Sequence, residues 1–226
     1  MTYKEGKAKT VDNIDFTKRV ANGPTDRGFD YFYGLTSPSG PPHLYMVNDM
    51  AEKQPNTRFE ESGGGLYKIK GGIGHSDWSA DGMQPHLADK MLEYLDENKD
   101  SDKPFFLYMA LTAPHIPLFP SKEFKGKSKI GDYGDLVMMI DDIVGRVNRK
   151  LKEIGKYDNT IVMFAADNGC AGYINMDRIN RKGHYPSYIY RGYKSHGWEG
   201  GHRIPFILSW GCLLYTSPSP RDVEES

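Results

Sequence analysis

The chain has 226 residues, long enough for one sizeable hydrophobic core, and its 38% hydrophobic and 26% charged residues are ordinary for a globular protein. A formal net charge of −1 gives no support for general affinity for nucleic acid or anionic membranes, and no apolar window of about 18 residues predicts a membrane span. Two cysteines are too few for a disulfide framework.

The first half of the chain predicts loops, then a helix and a short strand. Residues 1–65 are rich in glycine, proline, asparagine and aspartate, which favours loops. A helix is predicted over 84–98, because its apolar residues recur with helical spacing. These are Leu87, Met91, Tyr94 and Leu95. The run "KPFFLYMAL" at 103–111 is short, apolar and aromatic, which favours a strand buried on both faces.

The second half predicts a long helix and two further strands. Apolar residues recur through 133–154, Asp132 can cap this helix, and Gly155 can end it. A strand is predicted at 160–166 and another at 204–210, with a long loop rich in glycine, tyrosine, arginine and histidine between them.

The order strand, helix, strand predicts a βαβ unit with two parallel strands. Ligands of parallel α/β sheets bind beyond the carboxyl ends of the strands. Asp167 and Asn168 follow one predicted strand, and His115 follows the other. We therefore expect these side chains at the same edge of one sheet.

Asp167 and Asn168 form a pair of hard oxygen donors. A carboxylate and an amide carbonyl suit Ca²⁺ or Mg²⁺ better than a soft transition metal. Gly169 lets the backbone turn away without a side chain in the way. The alternative is an Asx turn that simply closes the strand.

His115 and Lys194 are candidates for handling an anion. His115 stands between Pro114 and Pro117, which restrict the backbone, so its imidazole could donate a proton to a leaving oxygen. Lys194 could bring a compact positive charge to an oxyanion. The alternatives are a loop histidine bonded to backbone and an ordinary solvated lysine.

Five segments, in order along the chain, together resemble the type I sulfatases, the arylsulfatase branch of the alkaline phosphatase superfamily. They are "RGFDYFYG" (27–34), "PFFLYMALTAPHIPL" (104–118), "GDLVMMIDDIVGRV" (134–147), "DNTIVMFAADNG" (158–169) and "GYKSHGWEGGHRIPFI" (192–207). The resemblance implies an α/β, alkaline-phosphatase-like core with a largely parallel sheet flanked by helices.

The resemblance also implies a reaction, hydrolysis of a sulfate monoester at one divalent cation, normally Ca²⁺. Asp167 and Asn168 match the family's late pair of metal ligands. His115 matches the histidine that binds sulfate and serves the leaving group. Lys194 matches the lysine that grips the sulfate oxygens.

The resemblance has gaps at both ends. The family's nucleophile is a formylglycine, made by a formylglycine-generating or anaerobic maturation enzyme from a C/S-x-P-x-R motif, and no such motif occurs here. The early aspartate pair of the metal site is also absent. We therefore expect residues 1–210 to be a partial sulfatase domain that is inactive by itself. Residues 211–226 are expected to be a tail foreign to the family.

The substrate stays open, either a sulfated carbohydrate or a small aryl sulfate. The loops at 36–80 and 170–198 are expected to line the leaving-group pocket. Candidate substrate contacts there are His43, His75, His184, Tyr185 and Arg191. Family habit implies a periplasmic or secreted protein.

Two other functions remain possible. Phosphatases and phosphodiesterases of the same superfamily use two transition metals and typically carry Asp-His where this chain has Asp167 and Asn168. An amide oxygen suits calcium and an imidazole suits zinc, so Asn168 favours the sulfatase. A non-catalytic carbohydrate-binding relative that has lost its nucleophile is the other alternative.

Overall fold

The structure, a computed structural model, describes residues 3–37 and 39–211, so the predicted tail lies almost entirely outside the described residues. Two compact units divide the chain. Unit 1 comprises Met1–Met91 and Tyr108–Ile140, and unit 2 comprises Leu92–Leu107 and Asp141–Ser226. Among the described residues, no helix combines the length and the apolar character needed to cross a membrane.

Unit 1 consists mainly of loops with short antiparallel strands, as the glycine-rich and proline-rich composition predicts. Its first sheet has the order β1-β2-β3, and its second pairs β4 with β5. The strands are β1 (Tyr33–Gly34), β2 (Met46–Val47), β3 (Met50–Ala51), β4 (Thr57–Phe59) and β5 (Gly72–Gly74).

Two hydrophobic clusters stabilise unit 1. One is built on Ile14, Phe16, Leu44 and Met46. The other is built on Tyr45, Trp78 and Met83. Burial of such side chains contributes roughly 1.5–3 kcal/mol each, which gives this loop-rich region a defined core despite its few strand residues.

The two helices predicted from the hydrophobic periodicity are confirmed. Helix α1 spans Met83–Glu97 and helix α2 spans Asp132–Glu153, within two residues of the predicted bounds. Asp135, in the first turn of α2, is fully buried. Its carboxylate accepts hydrogen bonds from the backbone N–H of Gly126 at 2.7 Å and of Ser128 at 2.6 Å. This aspartate therefore ties the preceding loop to the helix.

Unit 2 contains the two strands that frame the candidate site, with two short helices between them. Strand β6 spans Ile161–Ala165, and strand β7 spans Phe206–Trp210. Helix α3 (Met176–Arg181) and the single turn α4 (Glu199–His202) lie between them in sequence. Both strands were predicted from the sequence, and their positions are confirmed.

The predicted strand at 103–111 is wrong for the described residues, since this run lies outside every strand. Burial alternates along it as in a strand, with Phe106 73% and Tyr108 70% exposed. An extended segment becomes a β-strand only when its backbone forms hydrogen bonds with a neighbouring strand. No described strand pairs with this run, so its apolar residues alone do not make it part of a sheet.

The predicted parallel pairing is also wrong for the described residues, where every strand ladder is antiparallel. Strand β6 pairs with β7, so Met163 lies opposite Leu208 and Ala165 opposite Phe206. The long loop between them returns the chain to the same sheet in the opposite direction. The face that carries Met163 and Leu208 is exposed.

Candidate functional site

Asp167 and Asn168 lie in a bend that begins one residue after the end of β6. The Asn168 side-chain N–H donates to the carbonyl oxygen of Gly169 at 3.0 Å, which leaves the amide oxygen for another partner. The Asp167 carboxylate is exposed, and within the described residues no hydrogen bond or ion pair to it is found. Two oxygen donors are thus available at the end of the strand.

The turn after these residues is joined to a distant loop by backbone contact. The Gly169 N–H donates to the carbonyl oxygen of Gly201 at 2.9 Å. A Cβ atom on Gly169 would overlap the carbonyl oxygen of Gly200, and one on Gly200 would overlap that of Gly192. Glycine is required here because the two backbones approach too closely for any side chain.

Lys194 lies on that second loop. Its backbone N–H donates to the carbonyl oxygen of Cys170 at 2.8 Å, two residues beyond Asn168. Its side chain is half-buried, and the described part of the chain offers it no hydrogen-bond or ion-pair partner. The structure therefore brings the loop that bears Lys194 to the Asp167–Asn168 turn, and it leaves the Asp167 carboxylate and the Lys194 ammonium unpaired within the described residues.

The donor set fits a hard divalent cation in part. A carboxylate and an amide oxygen are ligands that Ca²⁺ accepts, and Ca²⁺ takes about six to eight oxygens. Among residues 3–37 and 39–211, no cluster of three or more His, Cys, Asp or Glu side chains could hold a metal ion. Asp167 and Asn168 can supply two ligands, and further oxygens must come from elsewhere.

His115 belongs to unit 1, whereas Asp167, Asn168 and Lys194 belong to unit 2. The His115 ring is exposed, and its Nδ1 lies 2.7 Å from the carbonyl oxygen of Ile116. Because a carbonyl only accepts, Nδ1 carries the proton in this contact. The expected meeting of His115 with the other three residues stays a prediction.

His43 occupies the interior of unit 1, unlike an open substrate contact. Its side chain is buried, and its Nε2 lies 2.7 Å from the carbonyl oxygen of Lys70. Its ring packs against Phe59 and Trp78, with centroids 5.1 Å and 4.3 Å away. Burial lowers the pKa of His43, and the hydrogen bond to Lys70 partly offsets this. The neighbouring candidate, His75, is half-buried.

A polar network beside this cluster had no sequence signal. The Tyr33 hydroxyl donates to Glu52 at 2.7 Å and lies 2.7 Å from Nε2 of His86. Burial, followed by the nearby Glu52 carboxylate, raises the pKa of Tyr33. Burial also raises the pKa of Tyr45 to about 12. Glu52 and His86 lie 19 and 53 residues from Tyr33 in the sequence, so no local motif marks the network.

The remaining candidates, His184, Tyr185 and Arg191, are exposed in unit 2. The Arg191 guanidinium carbon lies 3.9 Å from the ring centroid of Trp198. Trp198 was not a candidate in the sequence, since a lone tryptophan in a glycine-rich loop carries no motif. These residues stay candidate substrate contacts.

Comparison with known proteins places this chain in one class of protein. The family model described as Sulfatase matches residues 7–212. The chain belongs to the sulfatase family. The predicted resemblance to the sulfatases is thereby confirmed at the level of the family.

Two curated relatives show how much of a sulfatase the chain represents. It is 35% identical over 136 residues to an N-acetylgalactosamine-6-O-sulfatase of Bacteroides thetaiotaomicron, which covers 59% of this chain and 26% of that protein. It is 37% identical over 129 residues to an arylsulfatase of Hemicentrotus pulcherrimus, which covers 57% of this chain and 22% of that protein. The chain thus spans about a quarter of these relatives.

Solved structures share the fold over a larger part of the chain. A structure described under the metabolism of multiple glycosaminoglycans by Bacteroides thetaiotaomicron matches with a TM-score of 0.73 and 26% identity, covering 88% of this chain and 48% of that one. A sulfatase from Pseudoalteromonas sp. matches with a TM-score of 0.62 and 27% identity, covering 83% and 39%. The α/β sulfatase fold class is therefore confirmed, although the strands described here pair antiparallel.

Proposed function

We propose that the protein containing this chain hydrolyses sulfate monoesters and uses a single calcium ion to do so. The observation that carries the proposal is the backbone junction of Lys194 with Cys170, which joins an unpaired ammonium to the loop of an unpaired carboxylate. A tetrahedral anion and a cation together would satisfy both charges. Family membership supports the same chemistry.

The four site residues would divide the work. Asp167 and Asn168 would hold the cation, which when bound draws negative charge from the sulfate oxygens. Lys194 would bind a sulfate oxygen and stabilise the charge that accumulates there in the transition state. His115 would hold the leaving oxygen or give it a proton. The nucleophile, a formylglycine, would come from outside these 226 residues through a maturation enzyme.

The relatives also supply a proposed substrate class and a proposed location. Sulfated carbohydrates are the proposed substrates, because one relative is named for N-acetylgalactosamine 6-sulfate. Small aryl sulfates remain the second candidate, because another relative is named arylsulfatase. We place the protein in the periplasm or outside the cell, the family's habitual location.

The test uses the longest reading frame that encodes this chain, matured with a formylglycine-generating enzyme and assayed with p-nitrophenyl sulfate. We expect Asp167→Asn and Lys194→Met each to lower kcat/KM by about 10²–10³-fold, the loss typical of removing a group that stabilises transition-state charge. Lys122→Met is the control, because Lys122 is an exposed lysine of unit 1. Its activity should stay within about twofold of the unsubstituted protein.

Two results would overturn the proposal. Faster turnover of p-nitrophenyl phosphate, with two zinc ions bound per chain, would assign the protein to the phosphatases and phosphodiesterases of the superfamily. Absence of a C/S-x-P-x-R motif in the longest reading frame, with no sulfatase turnover, would make it a carbohydrate-binding relative.

The proposal also predicts a metal dependence. We expect chelation with EDTA to abolish the sulfatase activity and Ca²⁺ alone to restore it.

A further inference from the structure

The loop that bears Lys194 also bears a group of exposed aromatic and cationic side chains, which we call the aromatic–cationic surface. Its exposed members are Tyr185, Tyr188, Arg191, Trp198 and Arg203, and it also includes the half-buried Tyr190. Tyr188 is 72% exposed and Trp198 is 51% exposed. Exposed aromatic rings grouped with cations are typical of binding surfaces rather than of ordinary solvent-facing loops.

The charge of this part of the chain differs from that of the whole. Residues 176–203 contain six lysines and arginines against two carboxylates, Asp177 and Glu199, whereas the whole chain has a net charge of −1. A local excess of positive charge on a near-neutral chain attracts an anionic ligand to one place. The exposed face of β6 and β7 shows the contrast, because Met163, Phe206 and Leu208 expose apolar surface there without cations between them.

Arg191 is the cation of this surface that is ready for a ligand. Its guanidinium lies over the Trp198 ring at 3.9 Å, and within the described residues it has no ion pair with a carboxylate. A guanidinium stacked on a ring keeps its N–H groups available in its own plane, where they can bind a sulfate or carboxylate with two hydrogen bonds. The ring orients the cation without neutralising it.

Arg203 serves a different role on the same surface. It forms an ion pair with Glu199 at 2.7 Å and donates to the Tyr190 hydroxyl at 2.7 Å. Its guanidinium lies over the Tyr190 ring at 4.7 Å. Arg203 is therefore committed to holding Tyr190 and Glu199, and it supports the surface instead of binding the ligand.

The surface is continuous with the proposed sulfate site. Arg191 is three residues before Lys194, and its carbonyl oxygen accepts a hydrogen bond from the Gly200 N–H at 2.9 Å. Gly200 also lies against Gly169, next to Asn168. One compact arrangement of backbone thus carries the cation ligands, the sulfate-binding lysine and the Arg191–Trp198 pair.

We propose that the Arg191–Trp198 pair binds the part of a sulfated oligosaccharide that lies beyond the reacting sugar. This inference rests on the proposed function, which it extends from a sulfate ester to an anionic saccharide chain. Sugar rings present faces of C–H groups that pack on aromatic rings, and Arg191 binds a second sulfate or a carboxylate on the neighbouring sugar.

The test measures binding of a chondroitin 6-sulfate tetrasaccharide to the 226-residue chain by titration calorimetry at about 50 mM salt, where exposed charges are only weakly screened. We expect Arg191→Ala and Trp198→Ala each to raise Kd about tenfold. Arg178→Ala is the matched control, because it removes the same charge from the same basic segment, on helix α3. Its Kd should stay within about twofold.

Two conservative substitutions keep the test decisive if an alanine variant misfolds. Arg191→Lys keeps the charge but loses the planar fork, and Trp198→Phe keeps a smaller ring, so we expect each to raise Kd about threefold. Circular dichroism checks that each variant keeps the secondary structure of the unsubstituted chain. If Arg191→Ala and Trp198→Ala both bind within twofold of the unsubstituted chain, the proposal is wrong.

Other ligands separate this inference from the proposed function. Binding of inorganic sulfate should be lost in Lys194→Met and kept in Arg191→Ala, so loss of the sulfate site and loss of the saccharide site are distinguishable. The unsulfated chondroitin tetrasaccharide should bind at least fivefold more weakly than the sulfated one, an order-of-magnitude expectation for one lost charged contact. Equal binding of the two, or tighter binding of a single-stranded oligonucleotide, would overturn the assignment to a sulfated saccharide.

Discussion

The backbone N–H of Lys194 donates to the carbonyl oxygen of Cys170 at 2.8 Å, and this bond joins two loops that lie 24 residues apart in the chain. A second bond, from Gly169 to Gly201 at 2.9 Å, fastens the same loops close by. Through these two bonds the position of the lysine depends on the turn that bears Asp167 and Asn168. Because backbone groups join the two loops, the side chains of Asp167 and Lys194 stay available for ligands.

Gly169→Ala should weaken this junction. The new Cβ would overlap the Gly200 carbonyl, and because that neighbour is backbone, the loops must separate. We expect the free energy of unfolding, measured in urea, to fall by roughly 1–3 kcal/mol, as overpacking typically costs. Amide hydrogen exchange at Lys194 should accelerate.

Gly197→Ala is the control for that substitution. It adds the same methyl group to the lysine loop, where no heavy atom lies within 4 Å of the new Cβ. Its unfolding free energy should change by no more than about 0.5 kcal/mol. Equal effects of the two alanines would show that the close approach at Gly169 does not hold the loops together.

Asp135→Ala should destabilise unit 1. The substitution removes the buried carboxylate that accepts from the Gly126 and Ser128 N–H groups, leaving two part-buried donors without their partner. We expect a loss of roughly 1–3 kcal/mol in the free energy of unfolding. Asp141→Ala, at an exposed position of the same helix, should change it by less than about 0.5 kcal/mol. A comparable loss in both variants would contradict the role of Asp135.

His43 should make stability depend on pH. Burial lowers its pKa in the folded protein below the value of about 6.5 in the unfolded chain, so the unfolded state binds more protons in acid. The stability contributed by neutral His43 is complete above about pH 6.5 and is lost as pH falls through the lowered pKa. We expect Tm to fall from pH 7 to pH 5 more steeply than in His43→Gln.

The comparison with His43→Gln isolates this group, because glutamine can still donate to the Lys70 carbonyl but cannot acquire a charge in this range. Thermal unfolding followed by circular dichroism at several pH values provides the measurement. Parallel Tm profiles for the two proteins would mean that His43 is not the source of the acid sensitivity.

Met163→Lys should reduce self-association of the 226-residue chain. Met163 is 59% exposed on a sheet face that also carries Phe206 and Leu208, and exposed apolar sheet surface promotes association. Light scattering at increasing concentration should show less aggregate for Met163→Lys. Asn159→Lys adds the same charge at an exposed position outside this face and should scatter like the unsubstituted chain. Equal scattering by all three proteins would exclude this face as the site of association.

The sequence alone located the helices and the strands β6 and β7, because hydrophobic periodicity is a local property of the chain. It also identified Asp167, Asn168 and Lys194 as members of one candidate site, since five ordered segments resemble the sulfatases. These inferences needed only neighbouring residues or the order of motifs.

Only the tertiary structure decided how these pieces meet. It paired β6 with β7 in antiparallel register and left 103–111 outside the strands, because strand pairing depends on residues far away in the chain. It buried His43 and placed Arg191 on Trp198. Contacts across long sequence separations depend on packing of the whole chain, and no local pattern encodes them.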